Sequence, residues 1–267
     1  MKNLLVCVLT DRYPEKLERC MVSIDSQKTD VGRIVVCNTL NPEYVPVAEA
    51  IAIKHGWEFI VTESNGTASK GKNTALDHFA TTDYDYLTLI DGDDYYEPES
   101  LGILQRTIEK YDPDVIGLIG SSVVYDDKRI PLDEWEASDD WRAKCKKDIT
   151  MLNAKKLLFL FERAKKHIKF NRFVVISKRC LRFFRFSENI RISDIHLSLK
   201  LKHYAKQHLV KYILLDSDQV YTYDGNDFGC FAHFLRSDPK QSIEIFWGEL
   251  EGMDFTGEIP TVRDEHG

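Results

Sequence analysis

The sequence predicts the α/β class, a mainly parallel sheet with helices on both faces. Three features carry this prediction. Through residues 4–119, apolar runs of strand length alternate with stretches of helical spacing. The runs are continuously apolar, the mark of strands covered on both faces, and strand–helix–strand alternation means right-handed βαβ units around one sheet. The third feature is a stop. The run Tyr86-Leu87-Thr88-Leu89-Ile90 ends in Asp91, Asp93 and Asp94. Parallel sheets bind ligands beyond the carboxyl ends of their strands, so carboxylates there mark a candidate site.

Leu4 to Leu9 is the first strand. Pro14 to Gln27 is helical, with Leu17, Cys20, Met21 and Ile24 on one face and Pro14 in the first turn. Arg33 to Cys37 is a strand, Val45 to His55 a helix, and Trp57 to Val61 a strand. Gly71 to Ala80 is helical, Tyr84 to Ile90 a strand, Pro98 to Tyr111 a helix and Val115 to Ile119 a strand. The pattern then loosens. Asp126 to Asp148 reads as a polar loop, and Asn153 to His167 as a basic helix burying Leu157, Leu158, Phe161 and Ala164. Phe173 to Ile176 reads as a strand, Ser177 to Phe183 as a short helix and Asp194 to Ala205 as a covered helix. Tyr212 to Leu215 and Gln219 to Tyr223 are short strands. The expected organisation is a first half (1–125), a basic second half of the same domain (126–247) and a peripheral acidic tail (248–267).

The 267 residues are 43% hydrophobic and 30% charged, enough for one ordered core. Cysteines 7, 20, 37, 145, 180 and 230 form no paired spacing, which predicts reduced, buried thiols and a cytoplasmic protein. The opening apolar run is too short for a span and has no cleavage-site pattern, so it reads as a strand rather than a signal peptide, and no later run approaches a span, so no integral membrane segment is expected. Net charge is −7 but uneven: residues 142–191 hold sixteen Lys or Arg against three Asp or Glu. Such asymmetry points to a polyanion-binding face, against the plainer reading of a solvated helix face.

Three carboxylates within four residues repel one another and need a compensating charge. A divalent cation with oxygen ligands is one solution; Asp side chains capping a turn are the other. An EF-hand loop is excluded, because position six counted from Asp91 requires Gly and holds Tyr96.

The segment Asn65-Gly66-Thr67-Ala68-Ser69-Lys70-Gly71-Lys72-Asn73-Thr74-Ala75-Leu76, followed by Tyr86 to Pro98, closely resembles the family 2 glycosyltransferases of GT-A (Rossmann-like) fold. Thr10, Leu17, Cys20, Ser23 and Gln27 fall at matching positions of the opening. Phe184 to Leu201 resembles the segment that carries the family's Glu-Asp pair. Two departures stand out. The second strand ends in Cys37-Asn38-Thr39 where the family has paired acids, and the Glu-Asp pair is Ser193-Asp194 here.

The resemblance implies a glycosyltransferase using a nucleotide-sugar donor and Mn2+ or Mg2+, with inversion at the anomeric carbon. It implies donor contacts from Thr10, Asp11, Arg12, Asn38, Lys72, Asn73 and Asp91. Asp93 and Asp94 would hold the cation and Asp194 would be the general base, against the plainer reading of Asp194 as a helix N-cap; His233, by residue type alone, is a candidate further ligand or a structural histidine. Residues 126–247 would form the acceptor side. Its basic residues, Lys165, Lys166, Lys169, Arg179 and Arg182, lead to a polyanionic acceptor, a hydroxylated base in DNA of the kind some bacteriophages glycosylate. A glycan or lipid-linked acceptor is the alternative. A nucleotidyltransferase and a catalytically silent polyanion-binding protein are further ones.

Overall fold

The structure, a computed structural model, describes residues 2–138, 172–190, 193–227 and 239–264. The first half follows the expected alternation: β1 (Leu4–Thr10), α1 (Pro14–Asp25), β2 (Gly32–Cys37), α2 (Tyr44–His55), β3 (Glu58–Val61), α3 (Ala68–Thr81), β4 (Tyr86–Asp91), β5 (Tyr95–Tyr96), α4 (Ser100–Tyr111) and β6 (Val115–Ile119). Then come β7 (Ser122–Tyr125), β8 (Lys128–Pro131), α5 (Leu132–Ala137), β9 (Arg172–Ser177), a 3-10 turn at Lys178–Cys180 and α6 (Ser193–Lys206). The chain continues through β10 (Tyr212–Asp216), β11 (Tyr221–Asp224), α7 (Pro239–Gly248) and β12 (Thr261–Arg263).

An eight-stranded sheet runs in the order β12-β10-β6-β9-β4-β1-β2-β3. β1 pairs in parallel with β2 and β4, setting Thr10 opposite Cys37 and Leu9 opposite Asp91. The three strands therefore end at one rim. All seven residues of β1 are buried. Leu5, Cys7 and Leu9 enter the core on one face, and Leu4, Val6 and Val8 the core on the other. Two buried faces leave no polar side, which is why β1 reads as an unbroken apolar run. Leu17, Cys20, Met21 and Ile24 of α1 are buried as their spacing requires.

β9 is the exception to the parallel sheet. It enters between β4 and β6 and runs antiparallel to both. Ser177 lies opposite Tyr86 at the start of β4, so the other end of β9, Arg172, reaches the rim where β4 ends. A second sheet, β5-β11-β7-β8, packs beside that rim.

Two expectations are corrected. Part of the polar stretch after Asp126 is a hairpin: β8 pairs with β7 around Asp126 and Asp127, whose φ angles are 47° and 60°. Asp tolerates this left-handed turn, so residues that read as loop are a hairpin corner. The acidic tail is also part of the fold. β12 pairs in parallel with β10, Met253, Phe255 and Ile259 pack on the core, and Asp264 bonds to Arg106 at 2.7 Å. A few apolar side chains anchor a segment whose composition alone reads as solvated. The basic helix expected over 153–167 lies outside the described residues.

Candidate active site

The rim is built from the ends of β1, β2 and β4. Thr10 is buried, and its hydroxyl shares a 2.5 Å hydrogen bond with Tyr44. Asp11 and Arg12 follow, half-exposed and paired at 3.6 Å. Tyr13 has a φ of 61°, and the Arg12 and Lys16 side chains each lie 5.1 Å from its ring centre. At the end of β2, Asn38 donates to the Thr67 carbonyl at 2.8 Å, while its Oδ1 is buried with no partner among the described residues. Gly71 is required beside it, since a Cβ there would lie 2.8 Å from the Asn38 Cβ.

Gly92 turns the acidic loop back across β1, and a Cβ there would lie 2.9 Å from the Leu9 carbonyl oxygen. The three carboxylates that follow β4 have different partners. Asp91 accepts from Arg172 Nη2 at 3.1 Å. Asp94 is buried; it accepts from the Tyr221 hydroxyl, from the Asp224 backbone amide at 2.9 Å and from Arg172 Nη1 at 3.5 Å. The Arg172 guanidinium lies 3.8 Å from the centre of the Tyr221 ring. Asp93 has no cationic partner within ion-pair distance among the described residues, though Arg19 donates to its carbonyl at 2.6 Å.

These environments separate the acids. Burial opposes ionisation of Asp91, but the charges of Arg172 and Lys72 outweigh it and hold the carboxyl below the usual range. Burial, then the Asp91 charge, pushes Asp93 up to about 6. Burial and the Asp93 charge push Asp94 up, against the pull of Arg172.

The sequence-remote half of the site comes from α3 and α6. Lys72 is buried and donates to both oxygens of Asp194, at 2.9 and 3.0 Å. Its ammonium lies 5.1 Å from the Phe186 ring centre. One turn away, Ser69 bonds to Ser193 at 2.8 Å, so the residue at the missing carboxylate's position ties the two helices together. Asn73 donates to the Phe186 carbonyl at 2.9 Å and Glu188 at 3.0 Å, and accepts from the Phe186 amide at 3.1 Å.

Several expected roles change. The Asn73 amide makes three hydrogen bonds to residues 186–188, so it positions that segment. Asp94 accepts from protein donors at both oxygens and anchors β11, which leaves it less available to a cation than Asp93. Arg179 is at the amino end of β4, opposite the rim, where it pairs with Asp112 at 3.0 Å and Asp114 at 3.1 Å. Arg182 follows, exposed, with its guanidinium 4.6 Å from the Phe183 ring centre. Lys165, Lys166, Lys169 and His233 lie outside the described residues. Arg172 has no role in the sequence-based site. Its only signal is position, as the basic residue beginning a strand.

Among the described residues, no group of three or more His, Cys, Asp or Glu side chains forms a cation cage. A smaller donor set still fits a divalent cation, because such ions are commonly held by one or two carboxylates plus substrate phosphates. Asp93 provides one: burial and the neighbouring Asp91 charge raise its carboxyl, and the Lys16 charge opposes them only weakly.

The model of glycosyl transferase family 2 matches residues 5–189, which span β1, the acidic loop and Glu188. The chain belongs to this family. No curated protein matches it in sequence. Its fold is that of GT-A glycosyltransferases. Residues 1–349 of Staphylococcus aureus TarS, crystallised with UDP-GlcNAc, superpose with a TM-score of 0.63 at 16% identity, over 95% of this chain and 68% of that one. Against a longer TarS chain the glycosyltransferase spans 40% of the length. A mannosyltransferase from Pyrobaculum calidifontis, bound to GDP-mannose and Mn2+, gives 0.57 at 13% identity, over 94% and 70%. The glucosyl-3-phosphoglycerate synthase of Mycobacterium tuberculosis, with Mn2+, UDP and its product, gives 0.57 at 13%, over 95% and 81%.

Proposed function

We propose that this family 2 glycosyltransferase moves a sugar from a nucleotide-sugar donor to an acceptor hydroxyl, with inversion, and that Asp194 is its general base. The observation that carries the reading is convergence. Lys72, Asp91 and Asp194 come from three separate segments. Yet Lys72 grips Asp194, and its charge bears on Asp91. The solved relatives that hold UDP or GDP compounds, two of them with Mn2+, support the donor class.

The chemistry follows from the side chains. Asp194 takes the proton of the acceptor hydroxyl as its oxygen bonds to the anomeric carbon, and the bond from that carbon to the diphosphate breaks. The half-exposed Asp194 carboxylate is open to an acceptor, while the buried Lys72 fixes its orientation. Mn2+ or Mg2+ at Asp93 would supply Lewis-acid stabilisation of the leaving diphosphate. Titration calorimetry with UDP- and GDP-sugars, with and without Mn2+, tests this. Binding of at least one, lost with Asp93→Asn, is expected; no binding of any nucleotide-sugar overturns it.

For the acceptor, we infer a polyanion, with a hydroxylated base in DNA as the specific case. The support is the sixteen-to-three excess of basic residues over 142–191. Three arginines of that segment are engaged internally: Arg172 with Asp91, Arg179 with Asp112 and Arg185 with Asp77. Among the acceptor candidates the inference therefore rests on Lys165, Lys166, Lys169 and the exposed Arg182. Charge reversal there should weaken DNA binding, whose log K should fall by about 0.9 per neutralised phosphate against log salt. Sugar transfer to DNA containing hydroxymethylated bases supports the inference; transfer only to glycan or lipid-linked acceptors refutes it. No helix among the described residues is long and apolar enough to cross a membrane. A cytoplasmic location belongs to the same proposal.

A further inference from the structure

We propose that Arg172 is a built-in counter-ion that withdraws Asp91 and Asp94 from cation binding, so that a divalent cation is held at Asp93 only together with the nucleotide's diphosphate. The proposal rests on the donor reading above. It starts from an imbalance. A rim with three carboxylates in four residues would ordinarily attract a divalent cation by itself. Here one guanidinium bonds to two of the three, at 3.1 Å and 3.5 Å.

Arg172 is fixed in that position. Its side chain is 8% exposed, it lies against the Tyr221 ring at 3.8 Å, and its backbone pairs with Leu118 of β6. Planar, always charged and braced by an aromatic face, a guanidinium is suited to such a place. Asp94 is removed further by the Tyr221 hydroxyl and the Asp224 amide. One open carboxylate is too few for an ion that takes six oxygen ligands, and a diphosphate supplies what is missing. The fixed positive charge also repels a bare cation, while it favours the anionic nucleotide that would accompany one. Cation and nucleotide binding are thus coupled, and linkage makes the coupling reciprocal: each should tighten the other by the same factor, about tenfold to a hundredfold.

The experiment reads free Mn2+ by electron paramagnetic resonance, with no turnover involved. Wild-type protein with Mn2+ alone should leave the free-ion signal nearly unchanged, and adding UDP or GDP should remove it. Arg172→Gln should bind Mn2+ without nucleotide, because Asp91 is released beside Asp93 and the fixed positive charge is gone. Since a buried substitution can disturb folding, two isosteric variants run beside it. Asp93→Asn should abolish nucleotide-dependent Mn2+ uptake, and Asp94→Asn should keep it within about threefold of wild type. Equal Mn2+ affinity with and without nucleotide, or loss of uptake in Asp94→Asn to the level of Asp93→Asn, overturns the proposal. Failure of every nucleoside diphosphate to bind, with or without Mn2+, instead overturns the donor reading. The Mn2+-alone comparison of wild type and Arg172→Gln still judges the counter-ion.

Discussion

The two ends of the central sheet hold nearly the same chemical groups. At the carboxyl end, Arg172 bridges Asp91 and Asp94; at the amino end, Arg179 bridges Asp112 and Asp114. The difference is solvent. The Arg172 side chain is 8% exposed and that of Arg179 53%. Asp112 is open to water, and bonds from Arg179 and then Lys2 hold its carboxyl well below the usual range, so its charge is satisfied. The rim leaves Asp93 with no cation at ion-pair distance among the described residues, in a place where burial makes that charge expensive and the Lys16 charge offsets it only in part. Identical residues are inert where water screens and pairing is complete; they become chemical where water is excluded and pairing is left unfinished.

The largest expected effect is confined to the rim. Asp194→Asn should lower transfer by about 10²–10⁴-fold while leaving donor affinity in place, as single-turnover and calorimetric measurements together would show. An unchanged rate would reduce Asp194 to a partner of Lys72.

Next comes the direct contrast between the two arginines. Arg172→Met leaves a buried carboxylate uncompensated and should cost roughly 3–5 kcal/mol in urea denaturation. Arg179→Met removes an exposed pair and should cost about 0–1 kcal/mol. Equal losses would show that burial is not what separates the two ends.

A smaller effect tests Asp93. Its folded carboxyl, near 6, lies above the unfolded value of 3.8, so folding favours the protonated form. That contribution to stability is present below the unfolded value and is lost as pH rises through 6. Asp93→Asn should therefore become more stable than wild type as pH rises from 4 to 7, by on the order of 1–2 kcal/mol. A pH-independent difference in thermal melting would contradict the assigned environment.

The smallest effect is a null at the far end. Charge reversal at Arg179 should leave nucleotide affinity within about twofold of wild type, because water and salt screen a charge across the length of β4. A larger change would connect the two ends.

Much of this was legible from local pattern. The alternation through Ile119, the buried faces of β1 and α1, and the placing of Asp91 and Asp93 at a strand end each follow from short-range periodicity and a chain stop. The hairpin at Asp126-Asp127 was not legible because its strands are short and its outer one polar, although the two are adjacent in sequence; the packing of residues after Trp247 was not, because it depends on a partner strand distant in sequence and on a few apolar side chains in polar surroundings. The site divides in the same way. Lys72 and Asp194 were each visible, but not that one holds the other.

The sequence by itself determined that a parallel α/β sheet presents acids at the end of β4, since hydrophobic period and the composition of a strand end are local properties. Only the tertiary structure decided which of those acids remains open. That outcome depends on the direction in which β9 enters the sheet. Run antiparallel to β4, it carries Arg172 to the rim and Arg179 to the opposite end; run the other way, it would exchange them. Strand direction is set by the packing of both neighbours, β4 and β6, and the six residues of β9, four of them apolar, do not encode it.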